Sequence, residues 1–265
     1  MRSRRPARRT RAGAATSSGS GDGEYSRPTV AEISKTADQA LGVLSELADA
    51  GPMTAAEVSR SLNLNRTVVY RLLTTLQRRG YVVRHGDTYS PGPMLVRIAE
   101  TVEPELRAAA AQVMRGLAEQ TGETVVLHIQ DGDDAVVLEQ VVGTGHVLRV
   151  QHRVGSRHPL CFGASGRALL ASLDDRVLAR AVETSEDPDM TRNLIDDVRR
   201  AGYALSHDEL QDGVYGLAVP VRSVHDAVAS LAILVPAPRA ADVLDHLPEL
   251  REAADRLSVS LDALR

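Results

Sequence analysis

Aromatic residues are scarce: they make up 3% of the chain, with no tryptophan and a single phenylalanine, Phe162. Any core must therefore be aliphatic, built from Leu, Val, Ile and Ala. A lone cysteine, Cys161, excludes an internal disulfide framework and any multi-cysteine zinc site. Beside apolar neighbours it reads as a packed thiol rather than a redox sensor. This cysteine usage fits a cytoplasmic protein. No apolar run approaches the roughly 20 residues of a membrane span, so no membrane partner is expected. The arginine-rich start has no apolar segment behind it and does not read as a secretory signal. What is present is a chain of 265 residues, 43% apolar, enough for two domains of ordinary size.

Charge is unevenly spread. Residues 1–90 carry 14 basic and 8 acidic side chains, a net +6, whereas residues 91–265 carry 17 and 27, a net −10. A basic front on an acidic rear places any polyanion contact at the front. Residues 1–28 have no hydrophobic periodicity and read as a disordered basic tail, with Arg2, Arg4, Arg5, Arg8, Arg9 and Arg11 in one run. Those six arginines account for the whole excess. Such an arm suits phosphates or a minor groove, and a solvated tail without a role fits equally.

Residues 29–92 read as a winged helix-turn-helix. A first helix covers about 33–49, with Ala37, Ala40, Leu41, Leu44 and Leu47 as its buried stripe, ended by Gly51-Pro52. Thr54 and Glu57 form a capping box for a short second helix, with Val58 and Leu62 inward. Asn65 caps a third helix ending near Gly80, with Val69, Leu72, Leu73 and Leu76 on its buried face. Arg66, Thr67, Tyr70 and Arg71 fall on the opposite side near its start, the end that reads base edges in a major groove. Thr54 and Ser59 are placed for phosphates. Two short strands around Gly86-Asp87 make a wing whose tip carries Arg84 and His85.

Residues 93–103 are expected as a linker helix, and residues 104–265 as an α+β domain with one curved sheet. In that domain Pro104 opens a helix to residue 120, and 124–130 with 135–142 form a hairpin. A third strand is expected at 146–152, helices at 163–173, 174–183 and 189–201, and strands at 203–206, 214–221 and 227–235. A closing amphipathic helix is expected over 240–264. Phe162-Gly163-Ala164-Ser165-Gly166 opens a helix with small residues, which suit either a close ligand or close helix–sheet packing. His146, His152 and His158 recur every six residues, a spacing of no common zinc motif, so neither metal nor cofactor is expected.

Taken in order, these residues resemble the IclR family of bacterial transcriptional regulators over about residues 34–264. The matching stretches are RTVVYRLLTTLQRRGYV, YSPGPMLVRIA, HPLCFGASGRALLA and GYALSHDELQDGVYGLAVPV. The resemblance implies double-stranded operator DNA as a partner, a homodimer often paired into tetramers, and no catalysis. It implies a GAF-like second domain that binds a small organic effector, commonly an acid. The effector residues carried over by matching positions are Ala164, Ser165, Ser206, Gly216, Ala232 and Leu234, and the resemblance implies that the segment holding Phe162 and Gly163 forms one wall of the pocket. Where Ser206 stands the family often has an acid, and where Ala232 and Leu234 stand it often has small hydroxyl residues. A less polar pocket follows, suited to an aromatic or amino-acid-like molecule. Repressor and activator both fit. A competing reading draws Ser165, His207 and Asp208 as a hydrolytic triad, although Ser165 lacks the G-x-S-x-G elbow.

Overall fold

The computed structural model describes residues 33–223 and 228–263. The basic run 1–28 lies outside them. The chain divides into two compact units, one ending at Leu95 and the other beginning at Val96.

The first unit is three helices and a small sheet. Helix α1 (Lys35–Ala50) ends at Gly51, whose φ of 82° a side chain would resist. A two-residue strand β1 (Met53–Thr54) leads into α2 (Ala55–Ser61) and α3 (Arg66–Arg78). Strands β2 (Val82–His85) and β3 (Thr88–Pro91) form the hairpin. β1 pairs with β3, a third strand too short to leave a pattern in the sequence. Val69, Leu72, Leu73 and Leu76 are all buried, as the helical period requires. The stripe on α1 is turned from the expected one. Val43 and Leu47 are buried, whereas Leu41 is 63% exposed. Positions 40, 43, 44 and 47 make a continuous face, and residue 41 falls off its edge.

Helix α4 (Met94–Ala99) is shorter than the expected linker helix. Past it the chain unwinds, with Thr101 and Val102 donating to carbonyls three residues back. Glu103 then takes a φ of 44° before Pro104, whose ring disfavours helix in the residue ahead of it.

The second unit is a six-stranded antiparallel sheet with helices on both faces. Its strands are β4 (Thr124–Asp131), β5 (Asp134–Val141), β6 (Arg157–Pro159), β7 (Ala204–His207), β8 (Val214–Arg222) and β9 (Val228–Pro236). They lie in the order β6-β5-β4-β9-β8-β7. Helices α5 (Pro104–Thr121) and α9 (Leu247–Ala263) cover one face, packing on Val125, Leu127, Leu217, Leu231 and Ile233. Helices α6 (Gly163–Leu170), α7 (Asp175–Glu183) and α8 (Pro188–Ala201) belong to the core of the other face, with Ala218 and Ala232. Strand alternation thus sends odd positions of β8 and β9 to α5 and α9, and even positions to α6.

Two expectations fail here. Residues 146–152 form no strand. They run as an irregular segment, held by the Thr124 hydroxyl on the Val150 carbonyl at 2.7 Å and by Gln140 on the His152 N–H. The free edge of β5 is taken instead by β6, over Asp134 to Val136. The closing helix is also shorter than expected. Residues Ala237–His246 are 3-10 helix and only Leu247–Ala263 is α-helical.

Candidate functional site

On the first unit, the residues expected to meet DNA lie where the period put them. Asn65 caps α3, its Oδ1 accepting the Thr67 N–H at 2.8 Å. Arg66, Thr67, Tyr70 and Arg71 are all exposed on the side away from the core. Thr54 completes the capping box of α2: its hydroxyl accepts the Glu57 N–H, and the Glu57 carboxylate accepts the Thr54 N–H at 2.8 Å. Those hydrogen bonds to Thr54 hold the exposed Glu57 carboxyl below its usual range. The Ser59 hydroxyl donates to the Leu64 carbonyl at 2.6 Å. Its one proton is committed to the turn, and a phosphate could take it only by breaking that bond. On the wing, the Arg84 guanidinium folds back onto Gly86 and Asp87 and over the Tyr89 ring, while His85 is exposed.

On the second unit, α6 and the sheet enclose a small cavity, with about 20 Å³ of room for the centre of a water-sized sphere. Ala164, Ser165, Ser206, Gly216 and Leu234 line it. Gly216 is required there: a Cβ would stand 2.8 Å from the Ser206 hydroxyl and 3.3 Å from Ala164. The other three expected residues are beside the cavity rather than on its wall. Ala232 is wholly buried in the core behind α6. Phe162 precedes the helix and is 40% exposed. Gly163 (φ 69°) leaves room for the Leu210 side chain, which a Cβ would meet at 2.8 Å.

Sequence reasoning missed the polar residues of this wall: His128, Glu209 and Gln211, with Leu210 and Val214. His152 and His158 line it too, although they had been weighed only as metal ligands. Among the described residues no cluster is arranged to hold a metal ion. His128 is 1% exposed, and neither ring nitrogen has a hydrogen-bond partner. Strand β5 carries an extra residue opposite it, between the Leu127–Glu139 and His128–Val137 pairs, and such bulges re-aim side chains. The His158 ring lies edge-on to it, 5.4 Å between centroids. His158 Nδ1 is 3.1 Å from the Pro159 carbonyl, a contact that favours the proton on Nδ1, and its buried Nε2 has no hydrogen-bond partner among the described residues. Burial pushes His128 well below the usual histidine pKa, with His158 and His152 adding to it. Burial lowers His152 and His158 as well.

The start of α6 already holds an anion. Glu209, from the loop after β7, accepts the Gly163 N–H at 2.9 Å and a two-pronged bond from the buried Arg167 at 2.7 Å on each oxygen. Burial pushes its carboxyl up, but Arg167 and Gly163 outweigh that and hold it below its usual range. The acid that the position of Ser206 lacks is thus supplied from three residues further on. Cys161 is half-buried and burial raises its pKa, so it is no reactive thiolate. The hydrolytic triad does not assemble. His207 alternates to the face opposite Ser206 and stacks on Tyr215, and no hydrogen bond among the described residues joins it to Ser165.

Comparison with known proteins gives the frame. The family model for the bacterial transcriptional regulator IclR C-terminal domain matches residues 99–259, and that for the IclR helix-turn-helix domain matches residues 36–86. The chain belongs to the IclR family. It is 32% identical to the HTH-type transcriptional regulator Rv1719 of Mycobacterium tuberculosis over 71% of this chain and 77% of that one. It is 28% identical to the KdgR regulator of Escherichia coli over 83% and 90%. Among solved structures, an IclR homolog from Microbacterium hydrocarbonoxydans in complex with 4-hydroxybenzoate superposes with a TM-score of 0.75. That pair is 25% identical, covering 86% of this chain and 99% of the other. This IclR-family chain is therefore a DNA-binding transcriptional regulator. No helix among the described residues is long and apolar enough to cross a membrane.

Proposed function

We propose that the chain binds operator DNA through α3 and the wing, and that a small organic effector in the α6 cavity modulates this binding. The observation that carries the DNA part is the exposed polar face at the capped start of α3, opposite a fully buried apolar stripe. Arg66, Thr67, Tyr70 and Arg71 enter the major groove, where an arginine can bond both acceptors of a guanine. Asn65 and Thr54 keep the helix ends in place near phosphates. Arg84 and His85 add contacts to the backbone, which carry no base information. Ser59 is left out of the contact set.

The cavity wall supports the effector part, as does the 4-hydroxybenzoate complex of the Microbacterium relative. The protein acts as a homodimer, or as a pair of dimers, in the cytoplasm. Effector and DNA binding are coupled through residues 94–103, typically by about 1–3 kcal/mol. Gel shifts test the DNA reading. Arg66→Ala loses about 1–3 kcal/mol on operator and little on random duplex, whereas Arg84→Ala weakens both alike. Equal losses for Arg66→Ala on the two duplexes remove it from base reading. A Ser165→Trp variant tests the pocket: it fills the cavity and abolishes ligand-induced thermal shifts.

A further inference from the structure

The polar groups of the cavity define what it can accept, given the reading above that it is the effector site. His128 is buried with two free nitrogens, and as a neutral ring it offers one donor and one acceptor. His158 offers an acceptor only, because its Nδ1 proton faces the Pro159 carbonyl. Both rings line the cavity and meet edge to face, 5.4 Å between centroids, so a polar ligand atom at that end of the cavity is beside both of them. A hydroxyl group matches this pair, donating once and accepting once. A carboxylate does not match it, because it cannot donate to His158.

Charge points the same way. No lysine or arginine is among the residues lining the cavity. Glu209 already satisfies Arg167, so an incoming carboxylate would face Glu209 without a cation of its own. Besides Glu209, the titratable groups acting on the pair are His152 and Asp134, the latter ion-paired with Arg157. Burial keeps all three histidines neutral near pH 7. The rest of the wall, Leu210, Val214 and Leu234, is apolar.

We propose that this cavity selects an uncharged, hydroxyl-bearing ligand with an apolar body, its hydroxyl donating to His158 Nε2 and accepting from His128. Three probes with a common tolyl body test this by calorimetry on the full chain: 4-methylphenol, toluene and 4-methylbenzoate. At pH 7.5 the phenol binds at least tenfold tighter than either of the others. Its affinity is level from pH 7 to 8 and falls as the histidines protonate in acid. His158→Phe keeps toluene binding and loses the preference for the phenol. His158→Gln, which keeps an acceptor, recovers part of it. Tightest binding of 4-methylbenzoate, strengthening as pH falls, overturns the proposal, as does equal binding of phenol and toluene or no phenol binding at all. Ser165→Trp separates the two levels of inference. If it abolishes binding of whichever probe wins, the pocket stands even where the hydroxyl rule fails. If binding survives it, the pocket itself is elsewhere.

Discussion

A histidine ring held away from water with no partner resists protonation, and three rings of one wall share that tendency. Their folded pKa values are all lowered by burial, while the unfolded chain titrates near about 6.5. Below that value the unfolded state binds more protons than the folded one, so stability is complete above it and is lost progressively as the pH falls. The apparent melting midpoint should be flat from pH 7 to 8 and decline from about pH 6.5 downward. A midpoint that rises over the same acid range contradicts neutral burial. At this scale the sequence was half legible. Ala164, Ser165, Ser206 and Gly216 follow from matching stretches of chain, and Leu234 from a matching position in the last strand. His128 was silent, because one polar residue in an apolar strand looks like any core position. Glu209 was silent for another reason: it meets Gly163 from 46 residues away, and no local pattern encodes so distant a contact.

Elements were legible where a period or a cap names them. The buried face of α3, the capping box of α2 and the positive-φ end at Gly80 all came from local chemistry. Strand partners were harder, since pairing depends on which edge is free. Residues 146–152 have strand-like composition, yet β6 takes the edge of β5. The caps and the core of the DNA-binding unit can be weighed separately. Thr54→Ala removes the hydroxyl's bonds with Glu57 while the backbone N–H keeps its own, and should cost about 1 kcal/mol in urea unfolding. Leu73→Ala empties a fully buried position of α3 and should cost about 2–5 kcal/mol. A smaller effect for Leu73 than for Thr54 would mean that this unit depends on its caps more than on its core.

Across the whole molecule, residues 1–90 carry a net +6 and residues 91–265 a net −10, and the chain divides into two units near that point. Each phosphate neutralised by the front adds to the salt dependence of binding, so Arg84→Ala should reduce the slope of log K against log salt by about 1. An unchanged slope would put Arg84 outside the contact set. The rear unit contains its own counterweight in Glu209, which occupies the seat that an acidic metabolite would want. Glu209→Ala should leave Arg167 buried and unmatched, lower the melting midpoint, and let added acetate restore it. A single codon change would then retune the receptor from alcohols to acids without moving a strand, and within this frame a shift of metabolic diet would need no new architecture.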